Sequence, residues 1–286
     1  MGQGNVQDLD TSLPEHSEGI RVDRALLAAT TPYVEQSSAT SWRHVGTAFL
    51  LMITTLTAAG GIAWWPLRLA FSVLGALLMV RVFITFHDYL HGGILKESRA
   101  AHWFFHTYGA FALTPTRSWL ASHNYHHGHV GQISDAGVGA FPLLTTEVWQ
   151  SSTRWQRFAY RAQRHPLVVL LSYPIVFGLN ITLLPLLRAP AKHSDSLVAL
   201  ICHSSCLRMN RVMQWFTGNI GYHHIHHLNV RIPFYRLPEV MAAIPELQSP
   251  LITTLAPRDI ADCFRYALWD EEKQRMVTYR EARASS

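Results

Sequence analysis

Four histidines crowd into five residues at His223, His224, His226 and His227. Protonated imidazoles repel one another, and unpaired polar rings are costly to bury, so such a cluster needs a chemical reason. Two other stretches share the pattern. "HNYHH" places His123, His126 and His127 at i, i+3 and i+4, and "HDYLH" places His87 and His91 four apart. On a helix these spacings put the rings on one face, as do His223, His226 and His227. His224 occupies the middle of its box and should point away from that face.

Imidazole is neutral near pH 7 and is the commonest nitrogen ligand for iron, zinc and copper. Eight rings are too many for one zinc ion, which takes four ligands or three plus water. They suit two metal ions, each with an open position. His87, His91, His123, His126, His127, His223, His226 and His227 are therefore the candidate ligands. Asp88, Asn124 and Asn219 are the nearest side chains able to accept an imidazole N–H and fix a ring, and His203 is a further candidate beside the site. His129 and His165 stay open for the same role. His16, His44 and His193 read as solvated or interfacial, and His102 and His106 as packing residues of an aromatic interfacial helix. Cys202 and Cys206 flank His203, a weak zinc signal, and three cysteines are too few for a disulfide framework.

The elements that must carry these residues are apolar. Only 15% of the chain is charged, against roughly 25% in an ordinary soluble domain. Val45 to Ala63 is a run of 19 residues without charge. After "WWP" at Trp64 to Pro66, a second run extends from Leu67 to Phe86. Its two charges, Arg68 and Arg81, stand near its ends, where long side chains can snorkel to headgroups. Each run approaches the roughly 20 residues that cross a bilayer as helix. A third, Leu167 to Leu187, has no charge over 21 residues but carries Pro174, Gly178 and Pro185, so a kinked span or a re-entrant path is expected. The polar start offers no cleavable signal peptide.

Lys and Arg residues precede the first run and fill the stretch between the second and third. The positive-inside bias therefore places both in the cytoplasm. The net charge of +5 fits an anionic membrane surface and calls for no nucleic acid. The expected architecture is an all-α membrane protein, a transmembrane hairpin and a further apolar helix carrying a cytosolic helical cap with three histidine boxes. Its segments are a polar cytosolic 1–43, a hairpin 44–86, a cytosolic 87–166 with the first two boxes, the apolar 167–190, and a cytosolic 191–286 with the third.

At "HDYLHGG", "HNYHHGH" and "QWFTGNIGYHHIHHLNVRIPFYRLPEV" the chain resembles the membrane fatty acid desaturases. The resemblance covers most of Thr31 to Leu255. It implies a mushroom-shaped helical protein in which membrane hairpins hold a cytosolic cap with a di-iron centre. It also implies dioxygen as co-substrate and a fatty acyl lipid or acyl thioester as substrate. Electrons would come from a donor such as ferredoxin or a membrane cytochrome. Arg231 and Arg236, in "VRIPFYRLP", are candidate contacts for the substrate headgroup. The boxes are shared with hydroxylases and ketolases, which stand as the second reading. A non-catalytic metal-binding membrane protein is the third.

The third reading has a reason. If Leu167 to Leu187 crosses the membrane, a return span is needed before His223. Between Arg188 and His223 no uncharged stretch reaches the roughly 17 residues that a crossing needs. Relative to the family the chain reads as shortened between its second and third boxes, without a second hairpin and a further histidine ligand. The three boxes can share a site only if the third apolar run does not make a simple crossing.

Overall fold

A computed structural model describes residues 24–128, 143–173 and 206–284. The first two apolar runs form helices α1 (Ser38–Gly61) and α2 (Trp65–Leu90), packed against each other as a hairpin. Ser37 caps α1 by accepting from the Thr40 N–H. Ile62 to Trp64 breaks the chain, and Pro66 at the second position of α2 restarts it with a ring that costs no hydrogen bond.

The two faces of this hairpin differ. Val45, Ala48, Met52, Thr55 and Ala59, at helical spacing, are buried against α2. Gly75 allows the close approach, since a Cβ there would stand 2.7 Å from Leu56 Cδ2. The large apolar side chains Leu50, Leu69 and Val73 point outward and are exposed. Both helices are long and apolar enough to cross a membrane. At about 1.5 Å per residue, the 26 residues of α2 are longer than a hydrocarbon core of about 30 Å. Its last turns, which carry His87, can thus stand clear of the lipid.

Past α2 the chain builds a cap on that end of the hairpin. Helices α3 (Arg99–Phe111) and α4 (Thr116–Gly128) follow directly. Ser98 caps α3 by accepting from the Ala101 N–H. Trp103 and Phe111 stay exposed on α3, as expected of an interfacial helix. The core of the cap joins Phe86, Phe105, Trp119, Ile225, Phe234 and Leu237, so the end of α2, both cap helices and the third histidine box share one apolar interior.

The expectation of an all-α chain is overturned by two small sheets. The hairpin also runs further than 44–86, from Ser38 to Leu90. In the first sheet β1 (Leu144–Thr145) pairs in parallel with β4 (Tyr266–Asp270), which pairs in antiparallel with β5 (Arg275–Thr278). Between β1 and β4 in the chain lie α5 (Thr146–Ser151), α6 (Arg154–Gln163) and α7 (Pro166–Tyr173). Trp149, Tyr160, Leu268 and Val277 form a second, smaller core, closed by the C-terminal helix Tyr279–Ala284. In the second sheet β2 (Cys206–Arg208) and β3 (Ile252–Thr254) pair in parallel. These strands have two to five residues, too short for an alternating pattern to be read from sequence. Of the third apolar run, only its start lies in α7; residues 174–187 fall outside the described residues, as do His16, His129, His193 and His203.

Candidate metal centre

Three local devices aim the boxes. The first box ends α2, and its last turn closes on Gly92, whose φ of +72° is open to glycine and strained for other residues. The Gly92 N–H donates to the Tyr89 carbonyl at 3.0 Å and the Gly93 N–H to the Asp88 carbonyl at 2.9 Å, the two bonds of a Schellman stop. The second box rides on the last two turns of α4, and Trp119, one turn earlier, stacks on His123 with ring centroids 4.3 Å apart. The third box is a short helix, His223–Leu228, preceded by the helix Arg211–Phe216. Between these two helices Gly218, with φ +55°, lies against α2; a Cβ there would stand 2.6 Å from Ile84 Cγ2. A Cβ on Gly221 would collide with the Leu207 carbonyl of β2. The glycines of "FTGNIG" therefore let the third box approach both the hairpin and the small sheet.

The eight predicted ligands converge. His87, His91, His123, His127 and His226 form one group and His126, His223 and His227 a second, with ligand atoms in each group within 4.8 Å of one another. The groups adjoin: the rings of His127 and His227 are 4.3 Å apart, and those of His126 and His127 are 5.7 Å apart. Each box contributes to the first group. The second group takes one residue from the second box and two from the third.

Electrostatics keep the rings neutral. Burial, then the neighbouring imidazoles, hold His127 and His223 down to about 3 and His227 to about 2. Burial holds His91 at about 4. His123 and His226 lie well below the usual histidine value, again first through burial. Neutral rings carry one lone pair each, which is what a cation needs.

The ring geometry tests whether these residues fit metal ions. His123 Nε2 lies 3.0 Å from both His87 Nε2 and His127 Nε2, and His223 Nε2 lies 2.8 Å from His227 Nε2. His91 Nε2 and both ring nitrogens of His226 are buried with no hydrogen-bond partner. His87 Nδ1 lies 3.0 Å from Asp88 Oδ1, and a proton held on Nδ1 there would turn the Nε2 lone pair into the group. The other carboxylate oxygen, Oδ2, accepts from the Phe234 N–H at 2.6 Å, tying the first box to the segment that follows the third. Convergent nitrogen lone pairs, in a buried place that offers them few donors, match a pair of cation sites.

The other candidates fall elsewhere. Asn124 is exposed on α4, because position i+1 from His123 faces roughly 100° away from the box. Asn219 adopts a left-handed conformation and donates to the Phe234 carbonyl at 3.1 Å, so it braces the backbone and no histidine ring. His224 lies outside both groups, as its position implies. Arg231 is exposed. Arg236 is committed to structure: its guanidinium donates to both carboxylate oxygens of Glu239 and to the carbonyls of Pro32 and Glu35. It clamps the N-terminal stretch rather than reaching for a headgroup.

Arg81 corrects another expectation, because it does not snorkel. It is buried, at 3% exposure, with one amino group donating to the Trp215 carbonyl and the other 3.1 Å from His44 Nδ1. His44 in turn is half-buried and stacks on Tyr235, with centroids 5.2 Å apart. A single arginine in an apolar run carries no sign of such partners; the aromatics at Trp215 and Phe234 were the only available hint.

Comparison with known proteins agrees with this geometry. The family model described as fatty acid desaturase matches residues 194–253, the stretch that holds the third box. A "Fatty acid desaturase" of Bacillus subtilis (strain 168) is 26% identical over 278 aligned positions, which take in 75% of this chain and 78% of that protein.

Proposed function

The chain belongs to the fatty acid desaturase family, and on that premise we propose that it is a membrane di-iron acyl desaturase. It introduces a double bond into a fatty acyl chain, taking one hydrogen from each of two adjacent carbons. Dioxygen, two electrons and two protons are consumed with them, and two waters leave. The observation that carries the reading is the convergence of eight histidines into two adjoining groups. His87, His91, His123, His127 and His226 would hold one iron, and His126, His223 and His227 the other. The first group would offer five ring nitrogens and the second three.

An alkyl C–H bond offers no acidity or polarity for side-chain acid–base chemistry, and two bound irons would supply the activation of dioxygen that its cleavage demands. The chain's own residues do the rest. Asp88 orients the His87 ring. Phe86, Phe105, Trp119 and Ile225 pack beneath the rings and keep water from that side. A cleft of about 370 Å³ reaches His91 between Tyr89, Leu90 and Leu120, with Lys96 and Arg117 on its wall. In this reading the cleft admits the acyl chain from the membrane surface, and the two cations face the polar end of its carrier.

The site lies on the cytoplasmic side, because the basic residues flank the hairpin at the end that carries the boxes. A soluble or membrane-bound electron carrier, such as a ferredoxin or a cytochrome, serves it there. The test is lipid profiling of cells that express the chain. Loss of two hydrogens from an acyl chain supports the desaturase; gain of an oxygen atom would make it a hydroxylase or ketolase instead. No change in lipids from a chain loaded with iron and supplied with electrons would overturn both.

A further inference from the structure

Arg81 is a cation inside a helix read as a membrane span, and among the described residues no carboxylate pairs with it. Its Nε is buried without a hydrogen-bond partner. A buried charge this incompletely satisfied is costly, and a stack of apolar side chains would fill the same space with less penalty. What it touches gives it a use. The guanidinium lies over the Trp215 ring, 4.0 Å from its centroid, and 5.6 Å from that of Phe234, while donating to the Trp215 carbonyl. Trp215 precedes the third box and Phe234 follows it. His44 of α1 closes the far side, at 3.1 Å from the guanidinium and with its ring 5.4 Å from Phe234.

We propose that Arg81 is a positioning residue for the second histidine group, fastening both flanks of the third box to the transmembrane hairpin. Planarity matters here: the guanidinium stacks on the indole, bonds its carbonyl and reaches His44 at once, which a lysine ammonium cannot do. The consequence is asymmetric. The third box supplies one of five residues to the first group but two of three to the second. If the third box drifts, the first group keeps His87, His91, His123 and His127, while the second keeps only His126.

The inference rests on the metal reading above, and two readouts on the full chain in detergent separate them. The first is hydrogen exchange by mass spectrometry, which needs no metal. In Arg81→Lys, Arg81→Met and Trp215→Leu, residues 211–228 should exchange about tenfold faster than in the wild type, while residues 116–127 stay unchanged, as expected for a lost buried hydrogen bond and stack. The second is titration with iron(II). The wild type should take two ions per chain. Arg81→Met should take one, and Arg81→Lys should bind its second ion at intermediate affinity. Trp215→Leu keeps the charge, so it serves if Arg81→Met does not fold. Unchanged exchange over residues 211–228, or equal acceleration over residues 116–127, would overturn the proposal, as would loss of both ions together. A wild type that takes no metal contradicts the di-iron reading, and the exchange data then still decide for or against Arg81.

Discussion

His127 and His227, separated by 100 positions in the chain, lie with their ring centroids 4.3 Å apart. They belong to different histidine groups, so this contact is the wall between two candidate cation sites. The second and third boxes therefore share one end of the hairpin, together with the first.

Substituting His226 tests the register of the third box. His226 lies in the first group with both ring nitrogens buried and without hydrogen-bond partners, whereas His224 lies outside both groups. His226→Ala should lower metal affinity by about 10- to 100-fold or more, and His224→Ala should change it by less than about threefold. Metal analysis of the two purified variants checks this. Equal losses would mean that the helix presents a different face.

Asp88 makes a second prediction, through its bonds to the His87 ring and the Phe234 N–H. Asp88→Asn can keep the shape but offers one acceptor oxygen where the carboxyl group offers two. Metal affinity should fall by about 10- to 100-fold with the helical content retained. Circular dichroism beside metal titration separates this from unfolding.

The spacing of the boxes made the convergence of the eight histidines legible, because a helix converts i, i+3, i+4 into a shared face whatever else the chain does. The two long apolar helices were legible from the length of their apolar runs. Arg81 was not. A lone arginine near the end of an apolar run looks the same whether it snorkels or turns inward, and its partners Trp215 and His44 stand 134 and 37 positions away. The bonds of Arg236 were illegible likewise, since the carbonyls of Pro32 and Glu35 that accept from it are distant in sequence. The parallel pairing of β2 with β3 leaves no trace in three-residue strands.

Gly221 gives a packing prediction. A methyl group there collides with the Leu207 carbonyl, which is backbone and cannot swing aside. Gly221→Ala should destabilise the cap by about 1–3 kcal/mol, the usual cost of overpacking. Thermal unfolding in detergent measures it, and a Tm equal to the wild type would show that β2 lies elsewhere.

The histidines set a pH dependence for the metal-free chain. In the folded state His91, His127, His223 and His227 are held at about 4, 3, 3 and 2, below the usual 6.5. Below pH 6.5 the unfolded chain thus binds more protons than the folded one. Stability is complete above that pH and is lost progressively as the pH falls from 6.5 toward 2–4, by at most about 1.4 kcal/mol per histidine per pH unit. The Tm should be flat between pH 7 and 8 and drop steadily from pH 6 to 4. A Tm that rises on acidification would contradict the buried, neutral cluster.

The central claim is that the eight box histidines hold two irons. Protein purified from iron-replete cells, with iron and zinc measured against chain concentration, tests it most directly. The account predicts about two irons per chain. Stoichiometric zinc without iron, or a single metal ion of any kind, would contradict it.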